Sequence, residues 1–206
     1  PKAMKRYRSD IFSFNTLKRT PEVGSLLVAE PFLRERYFLH AVVSLIDLER
    51  GGDPLGVVLN NCTALLLHEI LDEVRADRQV PVFCGGPMSQ DRLFFVHTLG
   101  DDIIPGAKAY APGLWVGGDF KAAADYVNSG YPIDGFIRFF LGYSGWSYSQ
   151  LLSELDNDVW AVTPGDTIPA QDLLSMHGDR LWHAVVRGMG SHYRNWKLHP
   201  ASLQAN

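Results

Sequence analysis

Two neighbouring stretches decide the fold class: Phe38-Leu39-His40-Ala41-Val42-Val43-Ser44-Leu45-Ile46-Asp47-Leu48, and Leu55-Gly56-Val57-Val58-Leu59-Asn60. The first is apolar almost throughout, broken by His40 and Ser44, and it lacks the strict alternation of a half-wet strand. It therefore reads as a strand covered on both faces. Between the two, Glu49-Arg50-Gly51-Gly52-Asp53-Pro54 has the composition of a turn, so the runs are expected to pair as an antiparallel hairpin. Upstream, residues 24–30 (GSLLVAE) read as a further strand.

Downstream, Thr63 is expected to cap a helix over about residues 64–76, where Leu66, Leu67, Ile70, Leu71 and Val74 recur at helical spacing. Residues 80–84 and 92–99 read as strands on either side of the turn Gly85-Gly86-Pro87, and residues 113–116 as another. Asp119 caps a helix that Gly130 ends and Pro132 keeps from resuming. Residues 135–141 (GFIRFFL) read as a buried strand, followed by a glycine turn at Gly142-Tyr143-Ser144-Gly145. Ser147 then caps a helix carrying Gln150, Leu151 and Glu154. A short strand over 159–162 and helices over about 170–176 and 179–187 complete the order. Strands and helices mix without regular alternation, which favours a single α+β domain with a mixed sheet over a doubly wound fold.

Composition sets the outer bounds. The chain has 206 residues, of which 46% are hydrophobic and 20% charged, enough for a core without metal or disulfide support. The formal net charge of -4 hides a split: Lys2, Lys5, Arg6, Arg8, Lys18 and Arg19 against Asp10 give residues 1–19 a balance of +5, leaving -9 for the rest. An acidic body argues against a domain whose whole surface binds nucleic acid, and confines any such contact to the basic arm, residues 1–19. No apolar run approaches the length of a membrane span, and the first residues lack a signal peptide's apolar stretch. A cytoplasmic protein without a membrane partner is expected. Cys62 and Cys84, in no CxxC arrangement, agree with a reducing compartment.

The motifs that carry common chemistries are missing. There is no GxxxxGK[ST] phosphate loop, and Gly188-Met189-Gly190-Ser191-His192-Tyr193 has Tyr where a dinucleotide fingerprint needs its third glycine. Gly142-Tyr143-Ser144-Gly145-Trp146 departs from the GxSxG elbow, and His68-Glu69 is followed by Asp72 where a zincin helix needs its second histidine. No metal site and no cofactor is expected. Gln150 and Glu154 are four residues apart and so share a helix face, where they present an amide and a carboxylate to one point.

The strings Gly24-Ser25-Leu26-Leu27-Val28-Ala29-Glu30-Pro31, Gly56-Val57-Val58-Leu59-Asn60, Gly85-Gly86-Pro87 and Gly142-Tyr143-Ser144-Gly145-Trp146, with Gln150-Leu151, Glu154 and Trp160, resemble the AlgH/YqgE family of bacterial proteins. They run in the family's order over about residues 20–200. Ser149 departs from the pattern, which has glycine before Gln-Leu. The resemblance implies a single α+β domain over residues 20–206 with a bifurcated or partly barrel-like sheet wrapped by helices, and no established enzymatic activity. Its motif positions mark a binding surface at Asn60, Gly85, Gly86, Gly142, Tyr143, Gly145, Trp146, Gln150 and Glu154.

The leading reading is a ligand- or protein-binding regulatory module with its site around residues 142–154. A second is an enzyme using Glu154 as general base. A third is a transcription-related regulator touching nucleic acid through the basic arm. Exposed aromatics and edge strands also admit a homodimer.

Overall fold

The computed structural model describes residues 15–48 and 52–198. Ten strands form one curled half-barrel sheet: β1 (Leu26–Ala29), β2 (Val42–Asp47), β3 (Leu55–Val58), β4 (Cys62–Leu66), β5 (Pro81–Cys84), β6 (Met88–His97), β7 (Lys108–Ala111), β8 (Leu114–Val116), β9 (Ile137–Gly145) and β10 (Trp160–Thr163). The helices are α1 (Leu67–Ile70), α2 (Phe120–Asn128), α3 (Tyr148–Asp156), α4 (Ala170–Leu173) and α5 (Gly178–Gly188), with a terminal 3-10 helix over Ser191–Leu198. The hairpin of β2 and β3 forms as its sequence requires, with Val43 opposite Val58 and Ser44 opposite Val57. Residues 49–51 of its turn lie outside the described residues, as do residues 1–14 of the basic arm.

Strand β9 organises the sheet. One of its edges pairs antiparallel with β6 along most of its length, Phe94 lying opposite Phe140 and His97 opposite Ile137. Its other edge is shared. Its first half takes β5 in parallel, Val82 through Cys84 against Phe139 through Leu141, and its last residues take β3 antiparallel, Ser144 against Gly56 and Gly145 against Leu55. The sheet therefore forks beside Gly142, which makes it mixed and bifurcated.

Side chains alternate between two covered faces, which is why the strands read as unbroken apolar runs. Leu26, Val28, Val42 and Phe140 join the cluster under α5 and the 3-10 helix, where Trp182 stacks on Trp196 at 6.3 Å. Leu27, Ala29, Val43 and Leu45 face α3 with Trp146 and Trp160. Phe139 and Phe95 face α2.

Two local expectations are corrected. The helix over residues 64–76 is replaced by β4 and the four-residue α1. The Thr63 hydroxyl donates to Val82 O at 2.6 Å, and Cys62 and Leu66 pair with Phe83 and Pro81, so sheet pairing overrides the helical spacing. The stretch Gly142-Tyr143-Ser144-Gly145 is strand and not turn: Gly142 has φ +73 and bends β9 at the fork without reversing it. Strand β7 had no sequence signal strong enough to be read. Asp119 and Ser147 do cap α2 and α3, accepting from Lys121 N at 3.0 Å and Gln150 N at 3.1 Å.

Residues at the start of the described chain are tied to the body. Thr16 N and Oγ1 donate to Asp158 Oδ1 at 2.9 and 2.8 Å, and Lys18 Nζ donates to the same oxygen at 2.6 Å and to Leu155 O at 2.7 Å. Burial acts to raise the Asp158 carboxyl, but these hydrogen bonds outweigh it and hold the group below its ordinary range.

His97 is fully buried on β6. Leu99 N–H donates to its Nδ1 at 3.3 Å, so Nδ1 accepts and Nε2 carries the proton toward Gly117 O at 3.0 Å. Burial pushes this imidazole below its ordinary value, and does the same to His40, against which Asp179 acts in the opposite sense. For both, the unfolded chain takes up protons first. Their stabilising contribution is complete above about pH 6.5 and is lost as pH falls through the lower folded values. Urea midpoints measured across this range should fall on acidification, and His97→Gln should flatten part of that slope.

Candidate functional site

Residues marked by sequence separate into three places. Asn60 follows the end of β3 and is 5% exposed. Its Oδ1 accepts from Val42 N at 3.0 Å, its Nδ2 donates to His40 O at 2.8 Å and Gly178 O at 2.9 Å, and its carbonyl accepts from Gly178 N at 2.7 Å. The side chain ties the hairpin to the start of α5.

Gly85, Gly86, Gly142, Tyr143 and Gly145 meet at the fork. Gly85 N donates to Leu141 O at 2.9 Å, Ser144 Oγ donates to Gly85 O at 3.0 Å, and Val58 N donates to that same carbonyl at 2.9 Å. Three strands cross here, leaving no room for a Cβ at Gly85, Gly86 or Gly142. A Cβ on Gly142 would stand 2.6 Å from Gly86 O, and one on Gly86 would overlap the Tyr143 backbone.

Trp146, Gln150 and Glu154 form the third group. Glu154 Oε2 accepts from the indole nitrogens of both Trp146 and Trp160 at 2.8 Å, and Oε1 accepts from Gln150 Nε2 at 3.1 Å. Trp146 and Trp160 are 5% and 2% exposed, so the carboxylate anchors two buried indoles beneath α3. Both of its oxygens are engaged by neighbours of its own chain.

A different arrangement lies on the β4–β5 side of the fork. Arg138 is the second residue of β9 and is 4% exposed, and it forms no ion pair among the described residues. Its Nη1 donates to Leu59 O at 2.8 Å, Met176 O at 2.9 Å and Leu173 O at 3.3 Å, and its guanidinium lies 4.0 Å over the Phe83 ring. Nε and Nη2 donate to no described residue, and neither is sealed from solvent as the unpartnered Arg78 Nε is. Burial pushes the guanidinium down to about 10, opposed by Asp134 and Cys62, so it remains a cation at neutral pH.

The space it faces is a cleft of about 680 Å³, lined also by Arg78, Phe83, Tyr131, Ile133, Asp134 and His177. Arg78 crosses it to donate Nη2 to Tyr131 O at 2.9 Å. None of these residues was marked by the sequence motifs. The available signal was one arginine inside GFIRFFL, a run otherwise fit for a sheet interior.

Cys62 and Cys84 are free thiols. Cys62 pairs with Phe83, so Cys84, one residue on, points to the opposite face of the sheet. Among the described residues no three of His, Cys, Asp and Glu gather as a metal site, and no helix is long and apolar enough to cross a membrane.

Comparison with known proteins places these features. A family model described as AlgH-like matches residues 26–194. A UPF0301 protein of Parabacteroides distasonis is 40% identical over 96% of this chain and 98% of its own, and one of Bacteroides thetaiotaomicron is 37% identical over 93% and 95%. Among solved structures, the crystal structure of protein DIP2367 from Corynebacterium diphtheriae superposes with a TM-score of 0.69 at 19% identity, covering 88% of this chain and 94% of that one. The solution structure of AlgH from Pseudomonas aeruginosa gives 0.65 at 22% identity, over 85% and 94%. At these identities the two structures speak to the fold alone.

Proposed function

Because this chain belongs to the AlgH-like family, whose uncharacterised UPF0301 members bring no known reaction, we propose from its own geometry that it is a binding module for a small anionic ligand, held in the cleft at Arg138. One observation carries the reading: a buried cation, without a carboxylate partner among the described residues, lines a cleft of ligand size with two of its donor nitrogens unengaged by them. Burying a charge is costly unless it is paired. The three carbonyls on Nη1 offset part of that cost, and a bound anion supplies the rest.

The binding-surface reading of residues 142–154 draws less support, because its polar groups are satisfied internally. Glu154 as a general base draws little, since its Oε2 already accepts from two buried indoles and its Oε1 from Gln150. Nucleic-acid contact through the basic arm concerns residues that lie mostly outside the described ones.

The test is thermal melting at constant ionic strength with chloride exchanged for organic and inorganic anions. At least one anion should raise the melting temperature saturably, as ligand linkage requires, and Arg138→Gln should abolish the rise. No anion raising it, or an equal rise in the variant, would overturn the proposal.

A further inference from the structure

The cleft's chemistry narrows what fills it, provided that it is the ligand site as argued above. We infer that the ligand is a monocarboxylate with a flat apolar body, its carboxylate seated against the Nε–Nη2 edge of Arg138. Three features lead there.

The first is the shape of the donor. With Nη1 committed to the carbonyls of Leu59, Leu173 and Met176, the guanidinium offers one remaining edge, two parallel N–H groups in one plane. That edge matches the two oxygens of a carboxylate. Stacking on Phe83 at 4.0 Å fixes the plane, so the donors are preorganised and lose little freedom on binding.

The second is charge. Two arginines and one aspartate line the cleft, a surplus of one positive charge. Asp134 acts on Arg138 across the cleft without reaching ion-pair distance. A single negative charge balances this set. A phosphate dianion would exceed that surplus by one charge and meet Asp134.

The third is the wall. Phe83, Tyr131, Pro132 and Ile133 line the same space. Tyr131 is 57% exposed and stacks on Tyr126 with ring centroids 5.2 Å apart. An aromatic or unsaturated body laid along this wall buries apolar area on both partners, the usual composition of a small-molecule site: mostly apolar with few placed polar groups.

Calorimetric titration of the full chain with benzoate, acetate, benzamide and inorganic phosphate tests this. Benzoate should bind saturably and about tenfold or more tighter than acetate or phosphate, and benzamide, equal in shape but uncharged, should not bind. Arg138→Lys keeps the charge but loses the planar edge and should weaken benzoate by about tenfold. Asp134→Asn, a conservative change at an exposed position, should tighten it by roughly threefold and so reports even if the arginine variant fails to fold.

Phosphate binding tighter than benzoate, or benzamide binding as well as benzoate, would overturn the carboxylate assignment while leaving the cleft as a ligand site. Benzoate affinity unchanged in Asp134→Asn would overturn the charge argument. Absence of binding by every probe would remove both the assignment and the reading beneath it.

Discussion

Gly86→Ala is expected to cost on the order of 4 kcal/mol of folding stability, from overpacking against rigid backbone together with a strained dihedral. Gly86 has φ +152, and a Cβ there would overlap the carbonyl carbon and oxygen of Tyr143 and the hydroxyl of Ser144. Backbone atoms of a paired strand cannot swing aside as a side chain can. Relief would have to come from parting β5 and β9 where they diverge, which would break the Gly85 N–H bond to Leu141 O. Gly130→Ala is the control: it shares a positive φ of +82 but has nothing within 4 Å of the added methyl, so about 1 kcal/mol is expected. Urea unfolding of both variants separates the two contributions. Equal losses would show that the fork yields and that its glycines answer to backbone conformation only.

Glu154→Ala should cost roughly 3–5 kcal/mol, because two charge-assisted indole bonds are lost and two buried N–H groups are left without acceptors. Glu154→Gln keeps an oxygen that accepts but removes the charge, and about half the loss is expected. Tryptophan fluorescence should report both, since Trp146 and Trp160 stand edge to face at 6.1 Å around this carboxylate. Unchanged stability in Glu154→Ala would free the side chain for a role outside the fold. The expected loss assigns the spacing of Gln150 and Glu154 to anchoring α3 on the sheet.

How legible the molecule is follows from the range of each interaction. Where a residue acts on its own turn or hairpin, the sequence shows it: Asp119 and Ser147 cap their helices, and β2 and β3 pair as an antiparallel hairpin. The stretch 64–76 misleads because its leucines satisfy a helical period while Thr63 and Leu66 are claimed by β5, a partner beyond the whole stretch. Glycines at the fork were visible as a motif, but their meaning lay in a crossing of strands that no local pattern encodes. Arg138 is the sharpest case. Its neighbours in the chain call only for burial, and the carbonyls that receive it come from Leu59 just after β3, from the end of α4 and from Met176 beyond it, so the cleft emerges only from topology.

The pairing of β1 with β10 sets the timing of assembly. Leu26 lies opposite Thr163, so the first described strand pairs with the last, and Thr16 and Lys18 reach across to Asp158. A strand made early must wait, with one edge open, until its partner has been synthesised. Sheets closed by such distant pairings fold slowly and expose aggregation-prone edges meanwhile. During translation the hairpin of β2 and β3 can shelter one side of β1. The other side stays a vacancy that only the last strand fills, so a nascent chain stalled before residue 160 would present that unpaired edge to chaperones.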